Sequence, residues 1–254
     1  MTMTNSWHNN NTSSFILMSC LVLLASLCIK PAQASVVMVN TRVIFASGAQ
    51  SQTVQLTNND NIPYVMQMWT DINNPESTPD NADGPFLVMP AMFRIEPKSG
   101  QSVRLTFTGK NLPQDRESVF YLNSTQIPPR NIAGAQENQM TVVLRNRIKI
   151  FYRPKGIVGR PEQITEKVNF SLSQRNGQWE LTARNDSGYY ASFIRAAVVI
   201  GNREVPFTTD MVAPKSQAVW RLQRGSPSPA GAKSVRFTLV NDHGGHSTAE
   251  LPLR

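Results

Sequence analysis

Cysteine is almost absent from this chain. Its two cysteines, Cys20 and Cys28, both lie near the N-terminus of the 254 residues. The sequence that follows them therefore forms no disulfide and offers no thiolate nucleophile or cysteine metal ligand. If that part of the chain works in an oxidising compartment, hydrophobic cores alone must stabilise it.

Histidine and catalytic motifs are equally scarce. Of three histidines, His8 is N-terminal, and the other two belong to the run Asp242-His243-Gly244-Gly245-His246. That spacing does not match a closed zinc site, and the two glycines indicate a surface turn. The sequence has no G-x-S-x-G elbow, no phosphate-binding glycine loop and no evident pair of carboxylates for acid–base chemistry. We therefore expect no enzymatic activity, no metal and no cofactor.

Long apolar runs are limited to one. The segment from Phe15 to Ile29 carries no charge and is shorter than the ~20 residues of a membrane-spanning helix. Lys30 and the small-x-small sequence Ala32-Gln33-Ala34 follow it. This order predicts a secretory signal peptide, residues 1–34, cleaved after Ala34. No lysine or arginine precedes Phe15, which leaves a later start methionine or an N-terminal membrane anchor as alternatives.

Basic residues exceed acidic ones, 25 against 17, for a net charge of +8. The basic residues are scattered, and no block of five occurs in the chain. This distribution is typical of a solvated basic surface. We expect neither a nucleic-acid partner nor membrane insertion of the mature chain.

Short alternating runs separated by turn residues make up most of the remaining sequence. They begin with Val36 to Phe45 and include Ser102 to Thr108, where every second residue is apolar. Asn176-Gly177 and Gly201-Asn202 are strong hairpin signals within a second group of runs. The pattern predicts an all-β protein of two sandwiches, residues 35–157 and 158–254. One large sandwich is the alternative.

The run from Met140 to Tyr152 is long for a single strand. Its first half alternates apolar side chains and its second half is basic, in the order Met140, Val142, Leu144, Arg145, Arg147, Lys149. One interpretation is a core strand with a charged outer face. The other is an edge strand that pairs with another protein by β-augmentation.

Five stretches are similar to those of one known family. They are Thr41 to Phe45, Leu112 to Tyr121, Ile127 to Arg130, Ile148 to Pro154 and Val240 to Gly245. In this order they resemble the periplasmic pilus (fimbrial) chaperones of the chaperone–usher pathway. The short connection between Arg130 and Gln139 resembles the short-loop subclass. The resemblance implies two immunoglobulin-like domains in an L or boomerang arrangement.

The resemblance also implies how a pilus subunit is bound. Arg42 and Lys149 match the two cations that hold the subunit's C-terminal carboxylate. The alternating residues that fill the subunit's open groove as a donor strand correspond to Met140, Val142 and Leu144. In a regular strand Lys149 and Met140 point to opposite faces, so a bulge or strong twist between Arg145 and Lys149 is expected.

The resemblance also implies residues that fix the angle between the two domains and residues that contact the usher. An internal charge network that fixes the interdomain angle corresponds to Glu117, Arg153 and Asp242. Pro90 matches a position that can follow a cis bond. A surface recognised by the outer-membrane usher matches Val65, Gln67, Met89, Met92 and Ile127, although each of these also fits a core position.

The function expected from the resemblance is that of a periplasmic chaperone. It would bind, fold and cap pilus subunits by donor-strand complementation and deliver them to the usher. The segment Asn185 to Tyr190 and the pair Pro90-Ala91 depart from the family pattern, which leaves the loops of the second domain undefined. A secreted all-β adhesin or structural pilus component remains the alternative.

Overall fold

The computed structural model describes residues 35–129 and 140–254. The predicted signal peptide therefore lies outside the described residues. Val36–Arg254 form one compact unit, and its described residues form β-strands and one short α-helix, α1 (Ile164–Lys167). No helix within the two described ranges is both long and apolar enough to cross a bilayer.

The first sandwich has two sheets around one core. Its strands are β1 (Val36–Met38), β2 (Arg42–Ala46), β3 (Gln52–Asn58), β4 (Tyr64–Asp71), β5 (Phe86–Met89), β6 (Met92–Ile95), β7 (Gly100–Phe107), β8 (Ser118–Ile127) and β9 (Leu144–Arg153). The sheet orders are β1-β3-β7-β5 and β2-β9-β8-β4-β6. Side chains from both sheets meet in the core, among them Phe45, Leu56, Met66, Leu105, Leu122 and Ile150.

The second sandwich has its own, separate core. Its strands are β10 (Val168–Arg175), β11 (Gln178–Asn185), β12 (Phe193–Ile200), β13 (Arg203–Phe207), β14 (Ser216–Arg221), β15 (Ser234–Val240) and β16 (His246–Pro252). The sheet orders are β10-β11-β14 and β13-β12-β15-β16. An aromatic cluster fills the space between them, formed by Phe170, Phe193, Trp220 and Phe237. The prediction of an all-β fold is confirmed, and two cores exclude a single large sandwich.

Local patterns explain the strands and turns. In β7, Val103 and Leu105 are fully buried while Arg104 between them is exposed, as period-two alternation requires. Asn176 and Gly177 have φ of 49° and 76°, so this pair makes the predicted turn between β10 and β11. Gly201 likewise has φ of 57° between β12 and β13. These left-handed conformations suit asparagine and glycine.

The run from Val36 to Phe45 differs from the single strand that its pattern suggests. β1 pairs antiparallel with β3, whereas β2 pairs in parallel with β9 in the opposite sheet. The chain therefore crosses between the sheets at residues 39–41. This crossing places Arg42 directly beside Lys149 in the β2–β9 register.

Strand β9 is shorter than predicted. It begins at Leu144, not Met140, and its pairing with β8 starts at the pair Gln126–Leu144. Since β8 ends at Ile127, Met140 to Val143 lie beyond the partner strand and stay outside the sheet. The prediction of a strand from Met140 to Tyr152 is therefore wrong for its first four residues.

The expected bulge is also absent. Pairing between β8 and β9 runs without a register shift from Leu144 to Tyr152. In a regular ladder, residues at odd and even positions face opposite sides of the sheet. Lys149 and Leu144 therefore point to opposite faces, and the bulge predicted between Arg145 and Lys149 does not form.

Candidate functional site

Two cations lie side by side where β2 meets β9. Arg42 and Lys149 are register partners in a parallel pair and thus share one face of the sheet. Among the described residues neither forms an ion pair, and Arg42 Nε is buried without a hydrogen-bond partner. Arg42 Nη1 donates to the Val240 carbonyl at 3.2 Å, and its guanidinium lies 5.8 Å from the Phe151 ring centroid. Within the described residues, no carboxylate is thus in direct contact with either cation.

The electrostatic setting favours an incoming anion. Burial lowers the pKa of the Lys149 ammonium, and the positive charge of Arg42 lowers it further. Burial also lowers the pKa of the Arg42 guanidinium, while Asp242 and Glu117 oppose that effect. A carboxylate bound between the two cations would relieve their repulsion and form charge-assisted hydrogen bonds.

A cavity of about 310 Å³ adjoins Arg42. Residues of both sandwiches line it, including Phe151, Tyr190, Val240 and Asp242. Lys149 is not part of this lining. The cleft between the sandwiches thus offers a partly open cavity next to Arg42.

A charge network joins the two sandwiches close to Arg42. Arg153 Nε donates to Glu117 Oε1 at 2.7 Å, and its two terminal nitrogens donate to Asp242 at 2.6 and 2.9 Å. The Tyr190 amide donates to Glu117 Oε2 at 2.8 Å. The three residues that the resemblance assigned to one charge network, Glu117, Arg153 and Asp242, are thus in direct contact.

Burial controls the protonation behaviour of this network. It raises the pKa of the Glu117 carboxyl, which is 4% exposed, while the charge of Arg153 opposes the shift. For Arg153, burial acts to lower the pKa, but hydrogen bonds to Asp242 and the charge of Glu117 raise it above its ordinary value. Arg153 therefore stays charged between its two carboxylate partners.

The three predicted donor residues are exposed. Met140, Val142 and Leu144 have relative exposures of 84%, 61% and 48%. On the side of β9 opposite β8, β2 covers only Lys149 to Arg153, so within the described residues the edge from Leu144 to Ile148 has no strand beside it. An open strand edge next to exposed apolar side chains is a template for β-pairing.

The five residues predicted to contact the usher lie on neighbouring strands, and three of them are exposed. Val65 pairs with Ile127 and Gln67 pairs with Met92, which places these four on adjoining strands. Met89 follows on β5, joined to β6 through a cis Met89–Pro90 bond. Val65, Met89 and Met92 are exposed by 38%, 59% and 60%, so a core role is excluded for them. Gln67 and Ile127 are half-buried.

Comparison with known proteins decides the family. Residues 35–158 match the model "Pili and flagellar-assembly chaperone, PapD N-terminal domain", and residues 163–251 match "Pili assembly chaperone PapD, C-terminal domain". The chain belongs to this family of pilus-assembly chaperones.

Individual members of the family are similar over most of their length. The chaperone protein FimB/FhaD of Bordetella pertussis is 36% identical over 227 residues, which cover 88% of this chain and 89% of that protein. The probable fimbrial chaperone YadV of Escherichia coli is 34% identical, covering 84% of this chain and 87% of YadV. These relatives support a chaperone function in pilus assembly.

Solved structures of family members share the fold. The YadV chaperone structure superposes with a TM-score of 0.73 at 32% identity, covering 87% of this chain and 100% of YadV. The Pseudomonas aeruginosa CupB2 chaperone gives 0.70 at 28% identity, covering 86% and 100%. Two immunoglobulin-like domains are thus confirmed, while membership of the short-loop subclass stays a prediction.

A buried polar cluster near the cation pair was not predicted. Asp71, fully buried, accepts hydrogen bonds from Arg147 at 2.6 and 3.2 Å and from Asn123 at 2.6 Å. The Arg147 guanidinium also lies 3.4 Å from the Tyr121 ring centroid. Burial acts to raise the pKa of Asp71, but the bonds from Arg147 and Asn123 hold it below its ordinary value. In the sequence, the only indication was the charged residue Asp71 at the end of a mostly apolar strand.

Proposed function

We propose that this chaperone acts in the periplasm, captures the C-terminal strand of a pilus subunit on β9 and later releases the subunit to an outer-membrane usher. The observation that carries the proposal is the position of the Arg42–Lys149 pair, at the point where the open edge of β9 ends. Export to the periplasm rests on the predicted signal peptide, residues 1–34.

The cation pair suits a chain terminus better than an internal segment. From Lys149 onward β2 occupies the edge of β9, so a strand that pairs with Leu144 to Ile148 has no room to continue. A chain that ends there places its terminal carboxylate beside Arg42 and Lys149. Each hydrogen bond to such a charged group contributes about 1.5–3 kcal/mol.

The same geometry sets the direction of the incoming strand. Its body pairs with Leu144 to Ile148, and its terminal carboxylate lies beside Arg42 and Lys149, where β2 begins to occupy the edge. It therefore runs in the same direction as β9, and the two strands form a parallel pair. Backbone hydrogen bonds along this edge supply affinity that does not depend on side chains.

The two faces of β9 bind different parts of the subunit. Lys149 points to the face that receives the carboxylate, whereas Leu144 points to the other face, in line with the parity of Val142 and Met140. Within β9 the cation Lys149 and the apolar Leu144 thus lie on opposite faces, so no bulge is needed. Met140 and Val142 precede the strand in the free chaperone and continue the Leu144 face once the strand extends along the subunit. Burying each apolar side chain in a subunit groove contributes about 1.5–3 kcal/mol.

Two supporting roles complete the proposal. The network of Glu117, Arg153 and Asp242 holds the second sandwich in place beside Arg42, since Arg153 contacts carboxylates from both sandwiches. The exposed methionines Met89 and Met92, with Val65, Gln67 and Ile127, form the surface that contacts the usher. Flexible methionine side chains suit a surface that must bind and release.

A binding experiment tests the proposal. We would measure binding of a purified pilus subunit, with a free or amidated C-terminus, to wild type, Arg42→Gln and Lys149→Gln. Each substitution is expected to weaken binding of the free-acid subunit at least about tenfold, while amidation adds little to either. Equal binding of free-acid and amidated subunits by wild type contradicts the carboxylate anchor.

A further inference from the structure

The open segment of β9, Leu144 to Ile148, is paired on one side only. Within the described residues its other side carries no strand, because β2 begins at Arg42, the register partner of Lys149. A strand with one neighbour opens more readily than a strand with two, since fewer of its backbone groups are hydrogen-bonded. Side-chain contacts that hold this segment against the sheet would therefore favour its pairing with an incoming strand.

Arg147 provides one such contact. Its guanidinium extends past β8, where it lies 3.4 Å from the Tyr121 ring centroid, and donates to Asp71 at the end of β4 at 2.6 and 3.2 Å. Asp71 is fully buried. The side chain thus ties the open segment of β9 to the second strand away from it, on the side opposite the open edge.

Arg145 makes a second contact of the same kind. Its terminal nitrogen donates to Asn123 Oδ1 on β8 at 2.8 Å, and its guanidinium lies 5.0 Å from the ring centroid of Trp69 on β4. Asn123 is fully buried, and Trp69 is 6% exposed, with its indole nitrogen donating to Ser77 Oγ at 2.7 Å. This arginine is therefore also turned across β8 and leaves the open edge free for backbone pairing.

Asp71 connects the two contacts. The side-chain amide of Asn123 donates to Asp71 Oδ2 at 2.6 Å, and this bond orients the Asn123 oxygen towards Arg145. Asp71 Oδ1 also accepts from the backbone amide of Asn74 at 2.8 Å, so the turn after β4 fixes the carboxylate. One carboxylate thus holds Arg147 directly and Arg145 through Asn123.

We propose that Asp71 is a positioning residue for subunit capture, which through Arg145 and Arg147 keeps the open segment of β9 aligned on β8 before the subunit arrives. The inference rests on the proposed capture of a C-terminal strand at this edge. When a binding-competent conformation is only partly populated, the apparent affinity falls by the populated fraction. Loss of these contacts therefore weakens capture without removing a group that touches the subunit.

Amide hydrogen exchange of the free chaperone tests the alignment of the edge. It is measured at the amides of residues 144–148 that are hydrogen-bonded to β8, in wild type, Asp71→Asn and the control Leu181→Ala. Leu181 is fully buried in β11 of the second sandwich, so its truncation destabilises the protein away from β9.

Asp71→Asn is expected to lower the protection of these amides at least about tenfold. Leu181→Ala should leave it unchanged, because an edge strand exchanges by local opening and not by global unfolding. Equal protection in wild type and Asp71→Asn overturns the proposal.

A double variant separates positioning from stability. Asp71→Asn combined with Arg147→Met removes both charges of the buried pair, so its free energy of unfolding should recover towards that of wild type. The contact across β8 is still missing, and the β9 amides should stay as weakly protected as in Asp71→Asn. Protection that recovers together with stability would show that Asp71 acts on the fold alone.

Capture is measured with a short free-acid peptide of alternating threonine and valine and with its amidated form. Asp71→Asn and the double variant should bind the free-acid peptide about three- to tenfold more weakly than wild type, and Leu181→Ala should bind it equally. If amidation weakens binding to wild type while all variants bind as wild type does, only the role of Asp71 is refuted. If amidation has no effect on wild type, the capture mechanism fails and the role of Asp71 in capture fails with it.

Discussion

Arg153 Nη1 lies 2.6 Å from Asp242 Oδ2, and this contact joins the last residue of β9 to the turn that precedes β16. Glu117 accepts from the same guanidinium at 2.7 Å. One arginine thus holds two carboxylates, one from each sandwich. Because Arg42 donates to the carbonyl of Val240, two residues before Asp242, the network and the cation pair share the same turn.

Replacing Asp242 with alanine should weaken this junction. Arg153 loses two hydrogen bonds and remains mostly buried, with 19% of its side chain exposed. We expect the free energy of unfolding to fall by about 1.5–3 kcal/mol, measured by urea denaturation. Glu76→Ala, at an exposed carboxylate, is the control. Equal stability of both variants would show that the contact does not stabilise the fold.

The raised pKa of Glu117 should make the stability of the protein depend on pH. Burial raises its pKa above the ordinary 4.5, so the folded state binds the proton more readily than the unfolded state. Its contribution is therefore fully present below pH 4.5 and is lost as the pH rises through the folded pKa. As the pH rises through the folded-state pKa of Glu117, the free energy of unfolding of wild type should fall relative to that of Glu117→Gln. Unfolding curves of both proteins over a pH series measure this difference, and a constant difference contradicts the shift.

Asp71 should show the opposite dependence. Its pKa is held below the ordinary 3.8, so its contribution is present above that value and is lost as the pH falls through the folded pKa. Asp71→Asn leaves Arg147 without its charged partner and should cost about 3 kcal/mol at neutral pH. The cost should shrink on acidification. Chemical denaturation at neutral and acidic pH checks this, and a cost that grows on acidification would reverse the assignment.

Much of the fold follows from local sequence patterns. Alternation in β7 and the turn at Asn176 and Gly177 depend on neighbouring residues only, so they are readable without a structure. The long run from Met140 indicated one strand, either in the core or at an edge, but its predicted start at Met140 was wrong. That boundary depends on the end of β8 at Ile127, which lies far away in the sequence.

The candidate site was predictable by resemblance but not in its geometry. Arg42 and Lys149 were identified from family motifs, whereas their parallel register depends on the crossing between β1 and β2. The pairing of Asp71 with Arg147 requires the order of β4, β8 and β9 in one sheet. Alternation within each strand does not reveal which strands are neighbours.

The proposed usher surface makes a separate prediction. Met92→Asp places a charge on a residue that is 60% exposed, so the fold and subunit binding should be unchanged. Transfer of the subunit to usher-containing outer membranes should slow by roughly tenfold if Met92 is central to that contact. Val219→Asp, at an apolar residue of the second sandwich with 49% exposure, is the matched control. Equal transfer rates for the two variants argue against this surface.

The apolar row and the cation pair should act independently. Leu144→Glu inserts a charge where an apolar side chain enters the subunit groove, and we expect binding at least about a hundredfold weaker. Leu144 and Lys149 lie on opposite faces of β9, so the two changes do not share a partner. Amidation of the subunit should therefore weaken binding to Leu144→Glu by the same factor as to wild type, but add little to Lys149→Gln.

Isothermal titration of the free-acid and amidated subunit with each variant measures these factors. Leu144→Gln is the control that separates the effect of charge from that of lost apolar area. Since Leu144 is 48% exposed in the free chaperone, circular dichroism should show each variant folded. If amidation has no effect on Leu144→Glu although it weakens wild type, the two faces are coupled. In that case the carboxylate would be held only after the apolar row has entered the groove.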